Sequence, residues 1–218
     1  MRLNHRIRAF VPGLIAAQII VGSGALACAD SAMASRGAAK SQARIVLAGG
    51  CFWGMEAVFE RLKGVSNVVA GYAGGDASTA HYETVSTGST GHAESVEITY
   101  DPSKVSFGQL LAVYFLVAHD PTELDRQGPD EGSQYRSEIF YTSASQKSAA
   151  ESYIQALTAQ KTFDAKIVTL VRPLRNFYPA EEYHQHFVAR NPDYPYVVVN
   201  DLPKLANLKR KFPDMVKS

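Results

Sequence analysis

The chain has 218 residues, 46% of them hydrophobic and 20% charged, with 22 Lys and Arg against 21 Asp and Glu for a net charge of +1. That is the composition of a globular protein with a sizeable core, and it excludes a disordered tail, a collagen-like rod and a multi-span membrane protein. There is no basic surplus to favour nucleic acid, and two Cys without a C-x-x-C pair leave neither a disulfide-stapled miniature nor a thioredoxin-type dithiol.

The N-terminus reads as a leader. Arg2, Arg6 and Arg8 precede a mostly apolar stretch over residues 9–21, and the Ala25-Leu26-Ala27 and Ala32-Met33-Ala34 triplets both fit an A-x-A cleavage site. The apolar run, broken by Pro12, Gly13 and Gln18, is short for a transmembrane helix, so an uncleaved membrane anchor is the lesser expectation. Lipidation at Cys28 is not expected, because Ala25 stands where a lipobox favours Leu. Residues 1–34 are therefore expected to be a signal peptide and flexible lead-in. Residues 35–218 are expected to be a single exported domain, periplasmic or secreted and monomeric.

After the leader, residues 44–48 form a short strand-like run ending at Gly49-Gly50. Met55, Val58, Phe59 and Leu62 repeat at helical spacing over residues 53–63, and Gly64 stops them. A second strand follows over residues 65–72. Val96, Ile98 and Tyr100 alternate with Ser95, Glu97 and Thr99 in a third, which places Glu94 on the apolar face. Ser106 and Gln109 make a capping box before a helix that ends near His119 and Pro121. Residues 137–141 read as a strand, 145–160 as a helix and 166–171 as a strand ended by Pro173. Residues 180–189 read as a helix with Glu181 and Glu182 in its first turn, stopped by Asn191-Pro192, and Leu202, Leu205, Leu208 and Phe212 mark a basic C-terminal helix. Between residues 45 and 141 the order strand, helix, strand, strand, helix, strand is the ferredoxin-like split βαβ pattern. This predicts an α+β, two-layer sandwich with a mixed sheet covered by helices on one face. The loops at 73–92 and 119–136 are long enough to be functional.

The sharpest local feature is Gly49-Gly50-Cys51-Phe52-Trp53-Gly54, which sets a Cys between a strand end and a helix start. Unpaired N–H groups and the macrodipole of a helix N-terminus favour a thiolate there, and Phe52 and Trp53 are placed to wall a small apolar pocket. A Glu94 carboxyl on an apolar face is desolvated and available as an acid, although a solvated strand end is an equal reading of its position. Tyr82 and Tyr135 lie in the two long loops, where packing with a wet hydroxyl is the ordinary role, and Asp130 is by default a turn residue. His184 and His186, two apart on a helical pattern, face different directions and form no metal pair, so zinc is not expected.

These segments are similar to the peptide methionine sulfoxide reductase A family. The matching runs are Gly50-Cys51-Phe52-Trp53-Gly54, Gly71-Tyr72-Ala73-Gly74-Gly75, Gly88-Ser89-Thr90-Gly91-His92-Ala93-Glu94, Asp130-Glu131-Gly132-Ser133-Gln134-Tyr135-Arg136-Ser137 and Ala180-Glu181-Glu182-Tyr183-His184-Gln185, in order over residues 44–190. The resemblance implies reduction of methionine S-sulfoxide, free or within oxidised proteins. It makes Cys51 the nucleophile, Glu94 the acid, Tyr82 and Tyr135 the donors to the sulfoxide oxygen, Phe52 and Trp53 the wall of a methyl pocket and Asp130 a supporting carboxylate. No cofactor or metal is implied. Many members carry a resolving Cys near the C-terminus, and residues 52–218 contain no Cys. The expectation is a sulfenic acid on Cys51 resolved by an external thiol, whether thioredoxin-like, glutaredoxin-like or a small thiol such as dithiothreitol. Two other readings remain open on the residues alone. One is a Cys–His hydrolase or acyltransferase using His92 or His184, and the other is a secreted binding module around a structural Cys.

Overall fold

The computed structural model describes residues 42–217. The leader, its cleavage sites and Cys28 lie outside the described residues. Strand β1 (Ala43–Gly49) is flanked on both edges, and Ile45, Val46, Leu47 and Ala48 are wholly buried. It pairs antiparallel with β3 (Ala93–Tyr100) and β6 (Ser137–Tyr141), and β3 pairs antiparallel with β2 (Val65–Ala73). The sheet order β6-β1-β3-β2 is the split βαβ arrangement predicted from the element order. The short β4 (Arg126–Gln127) and β5 (Asp130–Glu131) pair apart from this sheet and α2 (Tyr82–Val85) is a single turn, while an outer strand adds to each edge of the sheet. β7 (Leu170–Pro173) runs parallel to β6, which makes the sheet mixed, and β8 (Phe177–Pro179) runs antiparallel to β2.

One face of the sheet, carrying Ile45, Leu47, Val96, Ile98 and Ile139, packs under helices α1 (Phe52–Glu60), α3 (Phe107–Val113) and α4 (Ala144–Ala159). The other face holds a smaller cluster of Val46, Ala48, Ala73, Ala93 and Phe140, on which Leu174 and Phe177 rest. The Ser106 capping box at α3 forms as its sequence indicates, with Ser106 and Gln109 each bonding the other's backbone N–H. The helix then widens into a π-type turn, Tyr114–Ala118, before His119 breaks it in extended backbone. Helix α6 (Leu202–Lys211) buries Leu205 and Leu208 as its pattern requires. Among the described residues no helix is long and apolar enough to cross a membrane.

Two elements depart from the periodicity. Residues 180–189 are not a continuous helix. A 3-10 turn, Glu182–His184, is followed by His186 in the left-handed region (φ 53°) and a single turn, α5 (Phe187–Arg190). Tertiary bonds outweigh the helical pattern here. The Gln185 amide pairs with both the N–H and C=O of Ala70 at 3.0 and 2.9 Å, and Glu56 accepts the His186 N–H at 2.8 Å. The strand expected over 166–171 joins the ladder only from Leu170 and runs on to Pro173, which an edge strand tolerates.

Candidate active site

Cys51 is the N-cap of α1, immediately after β1 leaves the sheet centre. Gly50 makes that exit feasible. It has φ of +86°, and a Cβ there would sit 2.5 Å from Cγ of Gln127. Gln127 itself is fixed, accepting from Asp120 N–H at 2.7 Å and donating to Asp120 C=O at 3.0 Å. Four residues after Gly50, Gly54 admits the C-terminal segment, since a Cβ there would lie 2.1 Å from Oδ1 of buried Asp201 and 2.8 Å from Nζ of Lys204.

Glu94 projects to the same side of β3 as Val96 and Ile98, as the alternation requires. It is buried, with Oε2 accepting the Phe52 N–H at 3.1 Å. Burial pushes its carboxyl up to about 8, the nearby Asp130 adds to this, and the Phe52 N–H opposes it. Glu94 is therefore an acid near neutral pH, and the solvated strand-end reading is wrong. Burial opposes the expected Cys51 thiolate in the resting pocket. The thiol is only 8% exposed, and burial drives it well above its ordinary value, with the charges of Glu94 and Asp201 acting in the same direction. The Trp53 N–H and Lys204 oppose this without reversing it.

Cys51 opens on a depression of about 190 Å³ lined by Phe52, Trp53, Tyr82, Glu94, Asp130 and Tyr135, the full set singled out in the sequence. The two long loops meet there because they are knitted together. Ser133 Oγ donates to Gly88 C=O at 2.8 Å, and Gln134 Nε2 to Ser86 C=O at 3.2 Å. The Arg136 guanidinium donates to the carbonyls of Gly91, His92 and Ser133 while its Nε pairs with buried Glu138 at 2.6 Å. Glu181 sets Tyr82 by accepting its N–H at 2.9 Å and the Tyr72 hydroxyl at 2.8 Å. Burial and the facing Glu94 both raise the Tyr82 and Tyr135 hydroxyls, which stay protonated donors.

Trp53 is held on three sides. It stacks on Phe187 at 3.6 Å, meets Tyr196 edge-on at 5.9 Å and donates Nε1–H to His184 Nδ1 at 3.0 Å. Tyr194 and Tyr196 complete the wall, and the Tyr196 hydroxyl donates to Asp130, whose carboxyl burial raises. These two tyrosines were not singled out in the sequence, nor were Asp201 and Lys204. The available signal was Tyr194-Pro195-Tyr196, an aromatic pair in a proline-bounded loop. A larger depression of about 310 Å³ lies by the sheet's other face near Phe140 and Arg172, away from the thiol.

Among the described residues neither His92 nor His184 hydrogen-bonds the Cys51 thiol. His92 accepts from Gly75 N–H at 3.2 Å and contacts Asp76 C=O through Nε2 at 3.0 Å, and His184 Nδ1 is taken by Trp53. Burial lowers both imidazoles. Neither ring is paired with Cys51 as a Cys–His hydrolase requires.

A family model described as peptide methionine sulfoxide reductase matches residues 43–216. The chain belongs to the peptide methionine sulfoxide reductase family. It is 60% identical over 176 residues to peptide methionine sulfoxide reductase MsrA 2 of Mesorhizobium japonicum, covering 81% of this chain and 90% of that one. It is 52% identical over 180 residues to the MsrA 2 of Synechocystis sp., covering 83% and 84%. Among solved structures it resembles methionine sulfoxide reductase A of Corynebacterium diphtheriae, with a TM-score of 0.62 at 36% identity, covering 72% of this chain and 78% of that one. It also resembles reduced Mxr1 of Saccharomyces cerevisiae, with a TM-score of 0.64 at 34% identity, covering 70% and 87%. The protein is a methionine sulfoxide reductase, which sets aside the hydrolase and binding-module readings, and its α+β fold is that of its structural neighbours.

Proposed function

We propose that Cys51 attacks the sulfur of methionine S-sulfoxide while Glu94 gives its proton to the sulfoxide oxygen. The observation that carries this is a neutral acid and a neutral thiol in one small pocket facing two protonated phenols. A sulfoxide has an electrophilic sulfur and a basic oxygen, so S–O cleavage needs a soft nucleophile and a proton for the oxygen. Tyr82 and Tyr135 donate to that oxygen as charge builds on it. The thiol proton replaces the one Glu94 gives up. Attack forms a Cys51–sulfur bond as the S–O bond breaks, and the oxygen, carrying both protons, leaves as water. Water then adds to Cys51 Sγ, the Cys51–sulfur bond breaks, methionine leaves with that electron pair, and the freed proton returns to Glu94. The sum is thiol plus sulfoxide giving sulfenic acid plus thioether, with no net proton consumed. Phe52 and Trp53 supply the apolar side for the methyl group. Oxygen donors, methyl wall and nucleophile approach a pyramidal sulfur from three fixed directions, which supports selectivity for one epimer. Asp130 acts through Tyr196, which it orients against Trp53.

Regeneration falls to an external thiol, thioredoxin-like, glutaredoxin-like or small, because residues 52–218 hold no second Cys. The substrates are oxidised proteins and free methionine sulfoxide. Residues 35–218 act as one monomeric catalytic domain that residues 1–34 direct out of the cytoplasm. Purified protein assayed on separated S- and R-methionine sulfoxide with dithiothreitol is expected to turn over the S epimer alone. One turnover without reductant should add a single oxygen mass to Cys51. Turnover of neither epimer, or a Cys28–Cys51 disulfide after that turnover, rejects this reading, and an unprocessed, cytoplasmic product on cell fractionation rejects export.

A further inference from the structure

The far end of α1 carries a second cluster that the reaction does not use. Glu56 and Glu60 lie one turn apart on the same helix face, and His186 meets them from a segment 130 residues away. Glu60 Oε1 lies 2.5 Å from His186 Nδ1, and Glu56 Oε1 lies 3.8 Å from the same nitrogen. All three donor atoms fall within 4.8 Å of one another. Glu56 is 1% exposed. Its Oε2 accepts the His186 N–H, but its Oε1 has no hydrogen-bond partner and is aimed at the imidazole. Burial and then the neighbouring Glu60 push this carboxyl up to about 8, and its unpartnered oxygen is a standing cost that a cation taking the proton's place would remove.

Glu60 and His186 open onto a surface depression of about 210 Å³, bordered by Val65, Ser66, Val68 and Lys217, with room for water to complete a coordination shell. The cations nearby are engaged elsewhere. Lys217 Nζ donates to the backbone C=O of Glu60 at 2.6 Å, and Arg190 holds Glu182 at 3.0 Å.

We propose that Glu56 Oε1, Glu60 Oε1 and His186 Nδ1 bind a divalent transition metal. Two carboxylates and one imidazole are a borderline donor set suited to Zn²⁺, Mn²⁺, Fe²⁺ or Co²⁺. Ligand bonds of about 2.0–2.2 Å require the Glu60–His186 contact to open and the Glu56–His186 gap to close, each by less than about 1 Å. His186 is half-exposed and can turn to do this. The ion ties the end of the helix that begins at Cys51 to the segment whose His184 holds Trp53, so its role is structural. The spacing of His184 and His186 still makes no site, because His186 draws its partners from α1.

The proposal does not rest on the reductase reading, and its test does not read activity. Untagged full-length protein carrying Cys28→Ser and Cys51→Ser, which removes both thiols as competing ligands, is titrated with Zn²⁺ by calorimetry and with Co²⁺ by visible absorption. One saturable equivalent is expected, with a Co²⁺ spectrum free of sulfur charge transfer and a rise in melting temperature on Zn²⁺ addition. His186→Gln and Glu60→Gln, both at the surface, should each weaken binding by at least about tenfold, the scale on which even an outer-shell partner acts. The absence of saturable binding, or binding that survives His186→Gln unchanged, overturns the proposal.

Discussion

Glu94→Gln separates the two consequences of burying an acid beside the nucleophile. The amide keeps the shape and still accepts the Phe52 N–H, but it has no transferable proton. With the carboxyl lifted to about 8, about nine-tenths of the wild-type enzyme holds the proton at pH 7 and about one-tenth at pH 9. The Cys51 thiol is raised well beyond its ordinary value, so its ionisation does not compensate over that range. Single-turnover methionine release should therefore fall about tenfold per pH unit above 8 in wild type. The Gln variant should be slower by about 10²–10⁴-fold at pH 7, with no alkaline limb. Stability should move the other way. The folded chain keeps a proton that the unfolded chain releases from about 4.5 upward, so the contribution is intact below 4.5 and is lost as pH rises toward 8. At 1.36 kcal/mol per unit, the cost is about 3 kcal/mol at pH 7. Gln has no such cost, so the variant should melt roughly 6–12 °C above wild type at pH 7 and converge with it near pH 4.5. A variant within threefold of wild-type release at pH 7, or one no more stable than wild type at pH 7, would refute the argument.

Tyr82→Phe and Tyr135→Phe remove one donor each to the sulfoxide oxygen. Each should cost about 10²-fold or less in kcat with stability unchanged, and the double variant considerably more. Steady-state rates with dithiothreitol alongside circular-dichroism melts decide this, and an unimpaired double variant sinks the role. Arg136→Met strands Glu138 in the core with only exposed Arg172 at 3.5 Å, and it releases three carbonyls that join the loops. A loss of about 3–5 kcal/mol by urea titration is expected, together with a drop in kcat from a displaced Tyr135. Gly54→Ala forces a methyl against Asp201 Oδ1 and should cost about 1–3 kcal/mol by chemical denaturation, so a neutral result would show that the C-terminal segment yields freely.

The sheet was readable because strands such as β3 obey a period of two and α3 opens on a plain cap. Ser106 with Gln109, and the parity of Glu94 with Val96 and Ile98, appear in the fold as written in the chain. The grouping of Cys51, Glu94, Tyr82 and Tyr135 was readable through family resemblance, whereas the bonds that achieve it were not. Arg136 and Glu181 reach across tens of residues to backbone groups, and no local pattern signals that reach. The broken helix at residues 182–190 failed for the same reason, since its amphipathic pattern is real but Gln185 and Glu56 compete for its backbone. The burial that opposes ionisation of Cys51 was not legible either, because helix position is local information while the pocket wall, Tyr194 and Tyr196 included, comes from distant residues.

The guarded sulfur has a chemical consequence for an enzyme that works among oxidants. Peroxides attack thiolates, so a cysteine kept as its conjugate acid is a poor target while the enzyme idles. Its reactivity is called up only when a sulfoxide brings in an oxygen basic enough to draw a proton through the site, and over-oxidation to irreversible sulfur acids is held off by the same burial that slows the resting thiol.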